Sequence, residues 1–143
     1  MSVTTTPTTD SAPLTREAGT RLVEGWTALW NGEVALAEQI LAPGFRLHFA
    51  DDFDGTGSAH TFGPDELTAF ISANSLALTG LTFAADAAPL VDSERGEMAC
   101  RWIESNADGS GDVVIKSGID MFAVTDGRIS AVWSLTGNRR FDA

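Results

Sequence analysis

From Leu14 to Trp30 the apolar residues Leu14, Ala18, Leu22, Trp26, Leu29 and Trp30 recur at helical spacing, and Val23 widens the stripe. Thr15 and Glu17 suit the start of a helix there, and Asn31-Gly32 suits its end. A shorter helix is predicted across Val34, Leu36, Ala37, Ile40 and Leu41, closed by Pro43-Gly44. Phe45-Arg46-Leu47-His48-Phe49 then alternates apolar and polar, the two-residue period of a half-buried strand. The stretch from Asp51 to Gly63 reads as a loop. Pro64-Asp65-Glu66 opens a third helix, with proline in the first turn and acids at the positive end. Leu67, Phe70, Ile71 and Leu78 mark its buried face.

From Leu81 onward the period becomes that of strands, expected at about 81–91, 96–105, 112–125 and 128–136. Turn-rich breaks separate them at Asp92 to Gly96, Asn106 to Gly111 and Asp126-Gly127. Turns this short imply antiparallel neighbours, not parallel crossovers. Helices first and strands afterwards indicate an α+β fold. A hairpin centred near Gly109 would put Met98, Cys100 and Trp102 on one face with Gly118 and Asp120, and would make Trp102 and Lys116 cross-strand neighbours.

Composition narrows the setting. At 143 residues the chain fits one domain, expected over 14–137, with residues 1–13 a Thr/Ser/Pro-rich flexible tail and 138–143 a short C-terminal tail. Nine basic against twenty acidic side chains leave a formal charge of −11, and the few Lys and Arg are scattered. Nucleic acid and anionic membranes are therefore unfavourable partners. No run approaches the ~18 apolar residues of a membrane span, and the first residues lack a secretion signal. A single cysteine, Cys100, cannot form an internal disulfide, which points to a reducing cytoplasm.

The candidate chemistry is a matter of carboxylates and histidines. The chain has no phosphate-cradling loop, no dinucleotide fingerprint, no Gly-x-Ser-x-Gly elbow and no tyrosine. One cysteine and two separated histidines argue against a zinc site. Asp51, Asp52 and Asp54 lack the later bidentate glutamate of a calcium loop, so no metal is expected. Asp120 stands out because most of its neighbours from Val113 to Val124 suit an interior strand. A carboxylate there must be paired, hydrogen-bonded or neutral, unless it lies on the solvent side with Lys116 and Gly118.

The run Gly118-Ile119-Asp120-Met121-Phe122, followed by Asp126-Gly127-Arg128-Ile129 and Trp133-Ser134, resembles the nuclear transport factor 2-like superfamily. SnoaL-like polyketide cyclases and ketosteroid isomerases are the most similar branches. Trp26 to Leu41 resembles the family's first two helices, and Leu67 to Leu76 its third. The resemblance implies a strongly curved, mostly antiparallel sheet packed with three N-terminal helices into a cone with an internal pocket. It implies that Asp120 faces that pocket, as a base or as a protonated donor. The first-helix position matching the isomerases' tyrosine falls near Gly25-Trp26, so their oxyanion pair is incomplete. For the second acid–base group two alignments stay open. One selects Asp54, the other His48.

The expected function is cofactor-free proton transfer next to a carbonyl on an apolar small molecule, either isomerisation or aldol-type cyclisation. Asp120, His48 and Asp54 are the expected catalytic groups. Trp26, Trp30, Phe49, Met98, Cys100, Trp102, Lys116, Phe122, Ile129 and Trp133 are the expected substrate wall. An epoxide-hydrolysing variant and a non-catalytic binding module remain as alternatives. Late strands carrying apolar residues on both parities (Ile115, Ile119 and Val124; Val114 and Phe122) further suggest a homodimer through the open sheet face.

Overall fold

Thr15 starts the first helix as its spacing predicts, its hydroxyl accepting the Ala18 N–H at 3.0 Å. The computed structural model describes residues 13–50, 60–73, 80–106 and 116–141. Helix α1 spans Arg16–Trp30 and buries Gly19, Leu22, Val23, Trp26 and Leu29. It stops at Asn31 and Gly32, whose φ of 115° favours glycine. A 3-10 turn, Val34–Leu36, leads into the short helix α2, Ala37–Ile40.

The predicted second helix is shorter than its apolar spacing suggests. Leu41 already has extended backbone and opens β1, Leu41–Phe49. Pro43 and Gly44 fall where the register against β7 (Arg128–Thr136) shifts, between the Leu41↔Ile129 and Arg46↔Ala131 pairs. A proline is tolerated in a strand at such an irregularity, and here it does not mark a helix end. The expected loop before Gly63 holds a short strand instead, β2, His60–Phe62, antiparallel to β1. Helix α3, Pro64–Ala73, opens with Glu66 reaching back to accept the Gly63 N–H at 3.0 Å.

The expected strand over 81–91 divides into β3, Leu81–Ala85, and β4, Leu90–Asp92, with Pro89 between them. They pair with opposite ends of the same neighbour, β5, Glu97–Asn106. Strand β6, Ser117–Thr125, joins β7 through Asp126-Gly127, both at positive φ, as a two-residue hairpin requires. The sheet order is β2-β1-β7-β6-β5-β3, with β4 also on β5. Every pairing is antiparallel except β1 with β7. The architecture is thus α+β, three helical segments on one face of a curved, unclosed sheet.

Side-chain alternation decides which residues meet the helices. Phe45, Leu47, Phe122, Ile129 and Val132 point inward and are fully or almost fully buried with Leu29 and Leu67. Ile119, Met121, Trp133 and Leu135 point outward. Ser117 ties residues beyond β7 to the start of β6: its carbonyl accepts from Gly137, its N–H donates to the Arg139 carbonyl, and its hydroxyl accepts from the Phe141 N–H.

Asn31 does more than end a helix. Its side-chain N–H donates to the Phe83 carbonyl at 2.9 Å and its oxygen accepts the Phe83 N–H at 2.8 Å. The amide therefore pairs with edge strand β3 as a neighbouring strand would. Asn31→Asp keeps the acceptor but turns a second oxygen toward the Phe83 carbonyl. Thermal unfolding should show a loss of about 1–3 kcal/mol, whereas an unchanged melting temperature would mean the amide does not secure β3.

Candidate functional site

The inward row across the sheet centre is Cys100, Asp120 and Ser134, adjacent in register on β5, β6 and β7. Asp120 is only 6% exposed. Two indoles hold it. Trp26 on α1 donates Nε1–H to Oδ2 at 3.0 Å, and Trp102 on β5 donates to Oδ1 at 3.2 Å. An indole is a donor only, so both bonds require the carboxyl oxygens to accept. Donors on both oxygens favour the ionised carboxylate.

Each indole has its own support. Trp26 packs edge-on to Trp30 and Phe122 and lies tilted against Phe45. Trp102 is packed edge-on by Phe83, and its ring lies over Gly118, its partner in the β5–β6 register. A Cβ on residue 118 would collide with that ring. Gly118 is thus the vacancy through which Trp102 reaches Asp120.

These residues line a cavity of about 210 Å³ between α1 and the sheet. That is below the ~300–1,000 Å³ of most ligand pockets, which limits an occupant to small molecules. Phe49, Phe70, Phe83, Phe122, Trp26, Trp30 and Trp102 make most of its wall, and the polar lining is Thr27, Glu104, Lys116, Asp120, Ser134 and Thr136. Cys100 lines it beside Asp120, its thiol donating to the Ala87 carbonyl at 3.3 Å. Burial, reinforced by the Asp120 charge and opposed by Arg101, pushes the Cys100 thiol up, so it is no activated nucleophile.

Of the residues expected on the wall, Trp26, Trp30, Phe49, Cys100, Trp102, Lys116 and Phe122 line this cavity together with Asp120. Four expected site residues do not. His48 sits on the opposite parity of β1 and stacks on the outer face against Trp133, centroids 5.8 Å apart and 20° from parallel. Trp133 is 45% exposed there, because Val132 and Ser134 take the inward positions. Met98 and Ile129 point inward but are sealed in the core, Met98 under Gly19. Asp54, like Asp51 and Asp52, lies outside the described residues. Trp102 and Lys116 share the cavity face, but the hairpin register runs two residues further, pairing Trp102 with Gly118. A shift of two preserves parity, so the face assignment is unaffected.

The pattern reading missed Glu104. It is 7% exposed and lines the cavity near Lys116. Burial pushes its carboxyl up, and Lys116 opposes this. Among the described residues no group of three or more His, Cys, Asp or Glu is placed to hold a metal, and no helix is long and apolar enough to cross a membrane.

No protein-family model and no curated protein sequence matches the chain. Solved structures do. A protein of unknown function with a cystatin-like fold from Methylobium petroleophilum PM1 superposes with a TM-score of 0.71 at 16% identity, covering 92% of this chain and 84% of that one. A candidate isomerase of the SnoaL-like family from Agrobacterium tumefaciens gives 0.65 at 21% identity, covering 85% and 98%. A candidate polyketide cyclase from Bacillus cereus gives 0.66 at 18% identity, covering 87% and 80%. At such identities the likeness is one of fold. The chain has the nuclear transport factor 2-like fold, a cone of helices and curved sheet.

Glu104 yields a stability signature. Its folded titration lies above the ordinary value of about 4.3, so between the two the native state binds more protons than the unfolded chain. Its favourable contribution is complete below the unfolded value and is lost as pH rises through the folded one. Glu104→Gln does not titrate. Its melting temperature relative to wild type should therefore climb as pH is raised from about 4 to 8. A constant difference across that range would show that Glu104 ionises freely.

Proposed function

We propose that the chain is a small-molecule enzyme in which Asp120 acts as a general base next to a carbonyl, without a cofactor. The supporting observation is a buried carboxylate, held by Trp26 and Trp102, at the wall of an apolar cavity. The proton leaves a carbon beside the substrate carbonyl for an Asp120 oxygen, and the electron pair moves to the carbonyl as an enolate. Returning the proton to another carbon isomerises the substrate. Alternatively, attack of the enolate on a second carbonyl closes a ring, and the proton on Asp120 passes to the alkoxide so formed. The aromatic wall orients the substrate and limits water. Solved structures of similar fold include candidate isomerases and a candidate polyketide cyclase, which suit this chemistry.

The same two bonds favour a second reading. An Asp120 whose oxygens both accept from tryptophans can be a structural clamp, with the cavity serving only to bind. Asp120→Asn separates the two. The amide offers one accepting oxygen and two N–H groups, so one indole N–H loses its acceptor, at a cost of about 1–3 kcal/mol. Circular dichroism should still show the native fold. In a screen of apolar carbonyl compounds, turnover should fall by about two to four orders of magnitude with substrate binding largely kept. Full turnover in Asp120→Asn would remove Asp120 from the mechanism.

We also propose that two copies associate through the outer sheet face. Ile119 and Leu135 are cross-strand partners there, 40% and 58% exposed, and Met121 faces Trp133, both 45% exposed. Contiguous apolar surface of this kind marks interaction sites. Sedimentation at micromolar concentration should give a dimer for wild type and a monomer for Trp133→Glu. A monomeric wild type would refute the association.

A further inference from the structure

Among the described residues, Glu104 lines the cavity with its carboxyl group unpaired. Among the described residues nothing hydrogen-bonds its carboxyl group, and no cation comes within ion-pair distance of it, although its backbone N–H is bonded to the Lys116 carbonyl at 2.8 Å. It is 93% buried, since only 7% of it is exposed. Buried polar side chains are nearly always satisfied, and each exception calls for an explanation. Burial disfavours the charged form of a carboxyl so placed and shifts it toward the neutral form, opposed by the charge of Lys116. A neutral carboxyl carries an O–H that needs an acceptor, and the Phe83, Trp30 and Trp102 rings that line the same cavity offer none.

Its position relative to Asp120 follows from register. Cys100 lies opposite Asp120, and Glu104 is four residues further along β5 with the same parity, roughly 13 Å of extended strand away. Trp102 lies between them. With their backbone stations that far apart along the sheet, the two side chains can meet two ends of one molecule. Their chemistry differs as well. Asp120 accepts from two indoles, whereas burial shifts Glu104 toward the form that carries a proton.

We infer that Glu104 is a specificity-determining anchor that donates a hydrogen bond to a neutral oxygen on the ligand, at the opposite end of an apolar skeleton from the group that meets Asp120. The ligand class is an elongated one- or two-ring apolar molecule with a carbonyl at one end and a carbonyl, ether or hydroxyl oxygen at the other. This inference rests on the cavity being a ligand site and deepens the Asp120 reading by naming what the far end recognises.

Two nearly isosteric probes test it: 2-acetyl-6-methoxynaphthalene, with an oxygen acceptor at the far end, and 2-acetyl-6-ethylnaphthalene, with none. Binding to the full chain is read by quenching of tryptophan fluorescence. Wild type should bind the methoxy probe about tenfold more tightly than the ethyl probe, the scale of one hydrogen bond. Glu104→Gln should keep most of that preference through its amide N–H. Glu104→Leu should abolish it, and Glu104→Met, closer in shape, repeats the test should the leucine variant fold poorly. A preference that persists in both apolar variants, or is missing in wild type, overturns the inference, as does failure of both probes to bind. Exchange of the acetyl protons for deuterium, followed by NMR, reports Asp120 separately. Exchange that survives Glu104→Leu but vanishes in Asp120→Asn supports the base. Exchange intact with no methoxy preference removes only the Glu104 anchor, and preference intact with no exchange removes only the base.

Discussion

A carboxylate inside an apolar cavity is unfavourable unless donors replace its lost water, and here two tryptophans from different elements supply donors to Asp120. One comes from α1, 94 residues before Asp120, and the other from the neighbouring strand. The clamp therefore couples helix docking to the site. Trp26 reaches Oδ2 only while α1 lies where Phe45 and Phe122 hold its indole. Trp102 reaches Oδ1 only because residue 118 has no side chain. A substitution at any of these positions acts on Asp120 without touching it.

The choice of indole also shapes the chemistry. The chain has no tyrosine, and a phenol in either place could have donated, accepted or titrated. An indole N–H does none of these but donate. Asp120 accepts from both indoles, which suits the proposed base better than a neutral hydrogen-bond donor. At Glu104 burial pushes the carboxyl toward its protonated form, opposed by the charge of Lys116. The two cavity carboxyls thus sit in different settings, Asp120 on β6 between indole donors and Glu104 on β5 without them.

Much of this was readable from alternation alone. Phe45, Leu47 and Phe49 define the inward parity of β1, and the same count places His48 outside, against the expectation drawn from family likeness. On β7 the family likeness placed Trp133 on the cavity wall, but Val132 and Ser134 already hold the inward positions. Likeness is a weaker guide than parity on a sheet with one open face. Glu104 shares the inward parity of Cys100 and Trp102, yet a glutamate followed by Ser105-Asn106 reads as a solvated strand end. Its burial comes from α1 and β3 closing over it, which is tertiary information. Strand β2 escaped notice because three residues are too few to establish a period. The division of β3 from β4 depends on both segments finding places along the long β5.

Asn31 has a consequence beyond the stability of one domain. The outer side of β3 is a sheet margin, and unpaired backbone there is a template on which another chain can add a strand. By giving Phe83 both a donor and an acceptor, the Asn31 amide occupies that template with an internal group. Growth of the sheet from this margin, the route toward filaments and aggregates, is blocked at its middle residue. The proposed association through the sheet's outer surface avoids this margin, and contact through a surface can close on a pair where addition at a margin need not stop.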